Sequence, residues 1–479
     1  MKNLNWILFL SGILYCSFSF SQPQMTTKEV KKSKFRAIGT TEPVVKYIEK
    51  PSSAVPLELQ RVAVEVFFDQ NPTKMRFSMP CYSCQVTENN IHYSNGWTET
   101  YDPKASSSCE VLWDKEARYA RMWIESQNPA RIVVRWRAAL ADPDGYIAHS
   151  DIPGGSPYGK GDWTDEWYYI YPDGMHTRHV RIYTGLAEQS TLVTDQTFEG
   201  MVPIREIPPN VVHEFHEEFI FGQRGHVPED DIETAPQTLI MMDGRSKTIS
   251  YKPYPKEFGE FAAANIKVIN LKSEYRPYII CIPHGIENEP YPPEGPLPHI
   301  FQTWPRNPGD NGYSTSLGHI LNWWHYYRSD NRLEQVYLSG MIHSENPAKE
   351  LLPLAKSWLR PPRLIMNGIE PKYKVHIYDQ TQRAYIIRRP NEDSERLKFK
   401  LDEYMEKGER STAPVWIINP TFVIKNWGKK NIALKVNGKM LKAGKDYFVG
   451  YEQSKSGIDM VLWINLKSKI ATTFEVLPI

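Results

Sequence analysis

Residues 161–174, GDWTDEWYYIYPDG, concentrate two Trp, three Tyr, three Asp and one Glu in fourteen positions. Aromatic rings stack on the apolar faces of pyranoses, and carboxylates accept sugar hydroxyl hydrogens. The same residues equally suit a packed core, because large aromatics are buried on average. Within this stretch and around it stand Arg137, His149, Trp163, Tyr168, Tyr169, His176, Arg178, His179 and His213. Such a set fits β-elimination beside a uronate carboxylate. An Arg neutralises the carboxylate and makes the weakly acidic C5 proton removable. A His or Tyr takes that proton, and another group protonates the leaving oxygen at C4.

This chemistry assigns proton transfer to Tyr168 and to His149 or His213. Arg137 and Arg178 are expected to hold the carboxylate, Trp163 to stack on the sugar, and Glu166 to accept hydroxyls or support the Tyr and Arg. A second wall is expected on the Pro- and Gly-rich loop HIFQTWPRNPGDNG, with His299, Trp304 and Arg306.

Other chemistries have weaker signals. His213 and His216 are three apart, whereas the zinc-protease motif needs four on a helix. On a regular strand they point to opposite faces, so no metal site is expected. Cys81-Tyr82-Ser83-Cys84 lacks the second close pair that zinc sites use, which leaves one or two disulfides, or buried thiols. No Gly-x-Ser-x-Gly elbow and no phosphate loop appears. Calcium is not indicated, and no cofactor is expected. A glycoside hydrolase would use Asp165 with Glu166, or Glu214 with Glu217, but neighbours on a strand point apart. A non-catalytic glycan-binding protein is the third reading.

The elements that must position these residues read as strands. TDEWYYIY is β-branched and aromatic, it stops at Pro172-Asp173-Gly174, and 175–183 follows, which predicts a β-hairpin. Residues 61–68, 110–113, 119–126, 131–138, 211–221, 238–243, 248–251, 266–271 and 277–282 read as further strands, and 192–198 as another. Residues 140–160 form a long loop bearing His149, and long ordered loops are often functional. Residues 349–358 are the best short helix, compromised by Pro353. After 360–362 the alternation resumes, and Asn437-Gly438 signals a tight hairpin.

The chain has 479 residues, which at roughly 150 per domain allows two or three domains. Turns should be frequent and long helices few, with 37 Pro and 28 Gly. The expected fold is all-β: a large antiparallel, super-sandwich-like β-sandwich over 56–358, then a smaller C-terminal β-sandwich over 359–479. Residues 1–21 read as a signal peptide and 22–55 as a tether, so the protein is expected to be exported, periplasmic or secreted. Tyr15 is too large for a lipobox before Cys16. No later stretch has the roughly 18 apolar residues of a membrane span. A net charge of +1 without a long basic run argues against nucleic acid.

Five blocks carry a wider likeness: GDWTDEWYYIYPDG, HEFHEEFIFGQRG, ELLPLAKSWLRPP, YDQTQRAYII and NPTFVIKNWG. With them the chain, from about residue 60 to its end, resembles a family of exported polysaccharide-utilisation proteins of marine Bacteroidetes and planctomycetes, related in chemistry to polysaccharide lyases. The resemblance implies β-elimination on a uronic acid of a sulfated algal polysaccharide, ulvan. The leaving group is water in a dehydratase and the next sugar in a lyase, and the sequence leaves both open. Relatives carry Asn-His-Trp-Pro where this chain has Gln302-Thr303-Trp304-Pro305, so no catalytic role passes to Thr303.

Overall fold

The computed structural model describes residues 34–39, 61–69, 71–79, 83–100, 102–114, 117–152, 156–184, 202–203, 213–223, 225–282, 287–290, 302–307, 310–321, 325–327, 332–366, 378–388, 396–402, 405–406, 409–410 and 416–479. The expected signal peptide lies outside them, as do Cys81, His299 and the segment 192–198. The side chains of His213, Trp304 and Arg306 are also outside, although their backbones lie in strands. Residues 35–479 form one compact unit.

The fold is all-β and sandwich-type. The first strands are β1 (Arg36–Gly39), β2 (Arg61–Phe67), β3 (Lys74–Met79), β4 (Ser83–Val86), β5 (His92–Thr100), β6 (Cys109–Glu110) and β7 (Arg121–Gln127). Then come β8 (Ile132–Ala139), β9 (Trp163–Ile170), β10 (His176–Tyr183), β11 (Val202–Pro203), β12 (His213–Phe221), β13 (Ile232–Ile240) and β14 (Ser246–Ile249). The set closes with β15 (Ile266–Leu271), β16 (Arg276–Ile280), β17 (Glu287–Pro290), β18 (Gln302–Asn307), β19 (Asp310–Leu321), β20 (His325–Tyr327) and β21 (Arg332–Ile342).

One sheet runs β1-β2-β3-β4-β5-β12-β19-β17, with β6 on β5 and β18 on β19. The other runs β14-β13-β15-β16-β21-β10-β9-β8-β7, with β20 on β21 and β11 on β20. Apolar residues of both sheets meet in shared clusters: Val64, Val66 and Phe77 pack with Val134, Tyr168 and Ile170.

The hairpin follows the sequence expectation. β9 pairs antiparallel with β10, from Ile170 opposite His176 to Trp163 opposite Tyr183. Gly174 closes the turn at φ +84°, a conformation that a side chain disfavours, and donates to the Tyr171 carbonyl at 3.0 Å. Three local expectations change. Residues 111–113 form a 3₁₀ turn after the short β6 rather than a strand. The stretch expected as a loop around Trp304 contains β18, which pairs with β19. A register shift against β5 between Phe215 and Glu218 breaks the strict alternation assumed for β12.

Helix α1 (Pro347–Leu359) starts two residues before the expected one and tolerates Pro353. Asn346 caps it by accepting the Lys349 amide at 3.2 Å. After it come two five-stranded sheets built from residues 363–478, one of them holding a parallel pair, Tyr385–Arg388 beside Phe422–Lys425. Asn437 and Gly438 make the expected tight turn, both at positive φ. These sheets grip the turn of the β9–β10 hairpin and the neighbouring Arg131. Asn419 donates to Asp173 at 2.7 Å, Tyr171 donates to the Gln382 carbonyl, and buried Arg131 donates to Glu452 from Nε at 2.7 Å. Ala130, Tyr171, Val423, Val461 and Trp463 fill the space between.

Candidate functional site

Strand β9 has two chemically different faces. Thr164, Glu166, Tyr168 and Ile170 alternate with Trp163, Asp165, Trp167 and Tyr169, as a period of two requires. The first set faces the seam between the sheets. Arg178 donates there from Nε to Glu166 Oε2 (2.8 Å) and from Nη2 to Oε1 (2.9 Å), and Tyr168 donates to Oε2 at 2.8 Å. Phe77 of the facing sheet meets the Tyr168 ring edge-on at 4.8 Å. All three polar residues are buried, and burial pushes the Tyr168 hydroxyl well above the usual phenol range. A Cβ at Gly96 would fall 1.9 Å from Arg178 Nη1, so the close approach of β5 to this guanidinium requires glycine.

Trp163, Asp165 and Trp167 of the second set lie on the opposite face, among neighbours fixed by register, while Tyr169 packs against the second sandwich. Trp123, Arg135, Trp167 and His179 form one cross-strand row. Arg137, Asp165, Arg181 and Glu334 form the next, on β8, β9, β10 and β21. Asp165 lies beneath this surface and is fully buried. It accepts from Arg135 Nε (2.9 Å) and Nη2 (2.7 Å), from Arg137 Nη2 (3.2 Å) and from the Tyr158 hydroxyl (2.6 Å). The Arg135 and Arg137 side chains keep 19% and 23% of their exposure while Asp165 keeps none, so positive charge faces water and its counter-charge lies below.

Aromatic rings flank these guanidinium groups. Arg137 lies 3.3 Å from the Tyr158 ring centroid and 5.6 Å from that of Trp123. Arg135 lies 4.4 Å from the Trp167 centroid, and Arg181 4.9 Å from the same ring. Burial, then the bond to Asp165, pushes the Tyr158 hydroxyl up, so it keeps its proton at neutral pH. Tyr119, Tyr158 and Tyr183 cluster edge-on at the rim, the first two against Trp163 and the third against Tyr158.

Glu334 repeats the arrangement two strands away. Arg181 pairs with its Oε1, Arg332 Nε lies 2.7 Å from the same oxygen, and His179 Nε2 lies 3.3 Å from Oε2. Burial works to raise this carboxyl, but His179, Arg181 and Arg332 override it and hold it at about 2.

His149 sits apart, on the loop between β8 and β9. Its Nδ1 lies 2.8 Å from buried Asp162 Oδ2, and its backbone is held at φ +53°. Burial opposes its protonation, yet Asp162 holds its pKa above the ordinary histidine value. The expected site residues are therefore not all brought together. Arg137 and Trp163 stand on the outward face, while Glu166, Tyr168 and Arg178 lie together in the seam. Alternation of Arg135 and Arg137 with Val134 and Trp136 could have marked the outward face. Tyr158, in an irregular loop, and Glu334, remote in sequence, gave no local signal.

Among the described residues no group of three or more His, Cys, Asp or Glu is placed to hold a metal ion. Cys84, Cys109 and Cys281 are buried thiols not joined to one another. No helix among these residues is long and apolar enough to cross a membrane.

No known family profile and no curated protein matches the chain. Among solved structures it is similar to a galactose 1-epimerase from Lactobacillus acidophilus NCFM at 8% identity and a TM-score of 0.27, over 65% of this chain and 100% of that one. It is also similar to the N-terminal domain of the Streptococcus gordonii adhesin Sgo0707 at 10% identity and a TM-score of 0.14, over 86% and 90%. At these scores neither likeness carries an argument about fold or function.

Proposed function

We propose that the protein is an exported carbon–oxygen lyase that binds an acidic oligosaccharide across the outward face of β7, β8, β9, β10 and β21. The reading rests on one observation: mostly buried guanidinium groups, about one-fifth exposed, stand between aromatic rings above a buried carboxylate. Arg forks match carboxylates bidentately, and the rings offer stacking surface to a sugar. The five sequence blocks that resemble polysaccharide-utilisation proteins support the same substrate class.

In this reading the substrate is a uronate-containing ulvan-type oligosaccharide, and the reaction is removal of water from its non-reducing-end uronic acid. The C5 proton leaves to a base, C4=C5 forms, the C4–O bond breaks, and the departing hydroxyl takes a proton to become water. Arg135 and Arg137 would hold the carboxylate. Tyr158, protonated and beside Arg137, suits the acid. Loss of the next sugar in place of water would make the enzyme a polysaccharide lyase.

A second reading, a non-catalytic glycan-binding protein, is favoured by the saturation of Asp165, whose oxygens are already occupied by Arg135, Arg137 and Tyr158. Mass spectrometry of a defined uronate-ended ulvan oligomer separates these outcomes. Loss of one water without shortening, and a rise in the ultraviolet absorbance of a conjugated uronate, are expected. Two fragments mean a lyase, and binding without turnover means a lectin-like protein. A flat trace and no binding across uronate substrates would sink the proposal.

A further inference from the structure

Three arginines among the described residues are deeply buried: Arg131, Arg178 and Arg383. The first two each grip a carboxylate, Glu452 and Glu166. Arg383, 4% exposed, has no carboxylate in ion-pair contact among the described residues. Its guanidinium donates to two main-chain carbonyls, from Nη1 to Asn419 at 3.3 Å and from Nη2 to Ile418 at 2.5 Å. Three of its five N–H groups are left over. Asp173 feels this charge: burial raises its carboxyl, and Arg383 works against that. The Asp173 oxygens, however, are bonded to Asn419 Nδ2 at 2.7 Å and to the Met175 amide at 3.1 Å.

Arg383 borders a cavity of about 20 Å³ where the end of helix α1 meets the second sandwich, and Tyr378, Tyr385, Trp416 and Thr421 share its lining. No Asp or Glu lines it. Thr421 is 1% exposed, and its Oγ1 has no hydrogen-bond partner among the described residues. A buried hydroxyl left unmatched is costly, so this atom calls for a group inside the cavity. Tyr385 already donates to the Pro362 carbonyl at 2.8 Å. Burial pushes the Tyr378 hydroxyl above the usual phenol range, so it keeps its proton. On the Trp416 wall, Lys469 Nζ lies 4.7 Å from the ring centroid and adds to the positive field.

We infer that this cavity is a chloride site. Its room suits one group of water or halide size, which excludes a sugar, a sulfate or a phosphate. Its sign is positive, and its free groups are donors, the Arg383 guanidinium and the Thr421 hydroxyl. A water would satisfy Thr421 but leave the buried guanidinium without a counter-charge, whereas a halide meets both needs. Ring edges of Tyr and Trp carry partial positive charge and tolerate an anion beside them. The ion would tie the end of helix α1 to the strand that begins at Thr421. The site is remote from the sugar reading of the outward face and does not depend on it.

Thermal unfolding of the full chain in sodium chloride and in sodium gluconate tests it, at equal ionic strength so that screening is the same. A ligand that binds only the folded chain stabilises it, so chloride should raise Tm by about 2 °C over gluconate. Thr421→Val keeps the side-chain shape, removes the donor, and should cut that difference by about half. Arg383→Gln should abolish it, and Thr421→Val decides the matter where Arg383→Gln does not fold. Crystals soaked in sodium bromide should show an anomalous peak between Arg383 and Thr421. Equal melting temperatures in the two salts, a chloride effect that Thr421→Val leaves intact, or a cavity without bromide overturns the inference and leaves a water in the cavity.

Discussion

Arg137 and Tyr158 grip the same oxygen, Asp165 Oδ2, while the guanidinium carbon of Arg137 lies 3.3 Å from the centre of the Tyr158 ring. One side chain brings a fixed positive charge, the other a hydroxyl that donates to the same carboxylate, and that single buried group sets the distance between them.

Removing the proton without the ring separates these roles. Tyr158→Phe should lower kcat by about 100-fold, the lower end for general acid catalysis, with little change in KM. Arg137→Ala should raise KM and lower kcat together, because it takes away both the carboxylate partner and the stacking surface. Steady-state kinetics on a uronate-ended oligomer check both, and a fully active Tyr158→Phe enzyme would remove this hydroxyl from the reaction.

The seam pair is expected to act on stability. Glu166→Ala leaves Arg178 without its carboxylate in a site where both are buried, which costs about 3–5 kcal/mol in urea unfolding. Tyr168→Phe removes one hydrogen bond to Glu166 and should cost only about 1 kcal/mol. If that variant loses activity at unchanged stability, Tyr168 moves protons after all.

His176 predicts an acid-sensitive fold. Burial lowers its pKa from 6.5 to about 4, so the folded state refuses a proton that the unfolded chain accepts. The stability it contributes is complete above pH 6.5 and is lost progressively as pH falls towards 4, by roughly 3 kcal/mol. A His176→Asn protein should show a flatter stability curve across that window, measured by urea titrations at stepped pH.

Glu452→Ala tests the attachment of the second sandwich. Arg131, 5% exposed, would lose the carboxylate it holds from Nε and Nη2, at a cost of about 3 kcal/mol. Calorimetry should show the loss as a lower transition temperature, and an unchanged melt would mean that the remaining apolar and hydrogen-bonded contacts suffice to hold the two sandwiches.

What could be read from the sequence was local. The β9–β10 hairpin, its Gly174 turn and the Asn437-Gly438 turn follow from residues next to one another. The split of Tyr168 and Arg178 from Arg137 and Trp163 follows from the period of two, once the paired strands are fixed. The Glu334 cluster depends on β21 lying beside β10, about 150 positions later, and no adjacent residue announces that pairing. Asp165 stood in plain view, but its burial beneath two arginines depends on strand β8 and on Tyr158, which arrives from a loop without regular alternation.

The grip of the second sandwich on the hairpin turn has a practical outcome for anyone expressing the protein in pieces. A fragment ending at residue 358 would leave Tyr171 and Ala130 without Val461 and Trp463, and Asp173 and Arg131 without Asn419 and Glu452. It would carry a sticky, half-charged scar at the end of the strands that bear the outward face. Such a fragment should precipitate or pair with itself, whereas the intact chain keeps that surface covered.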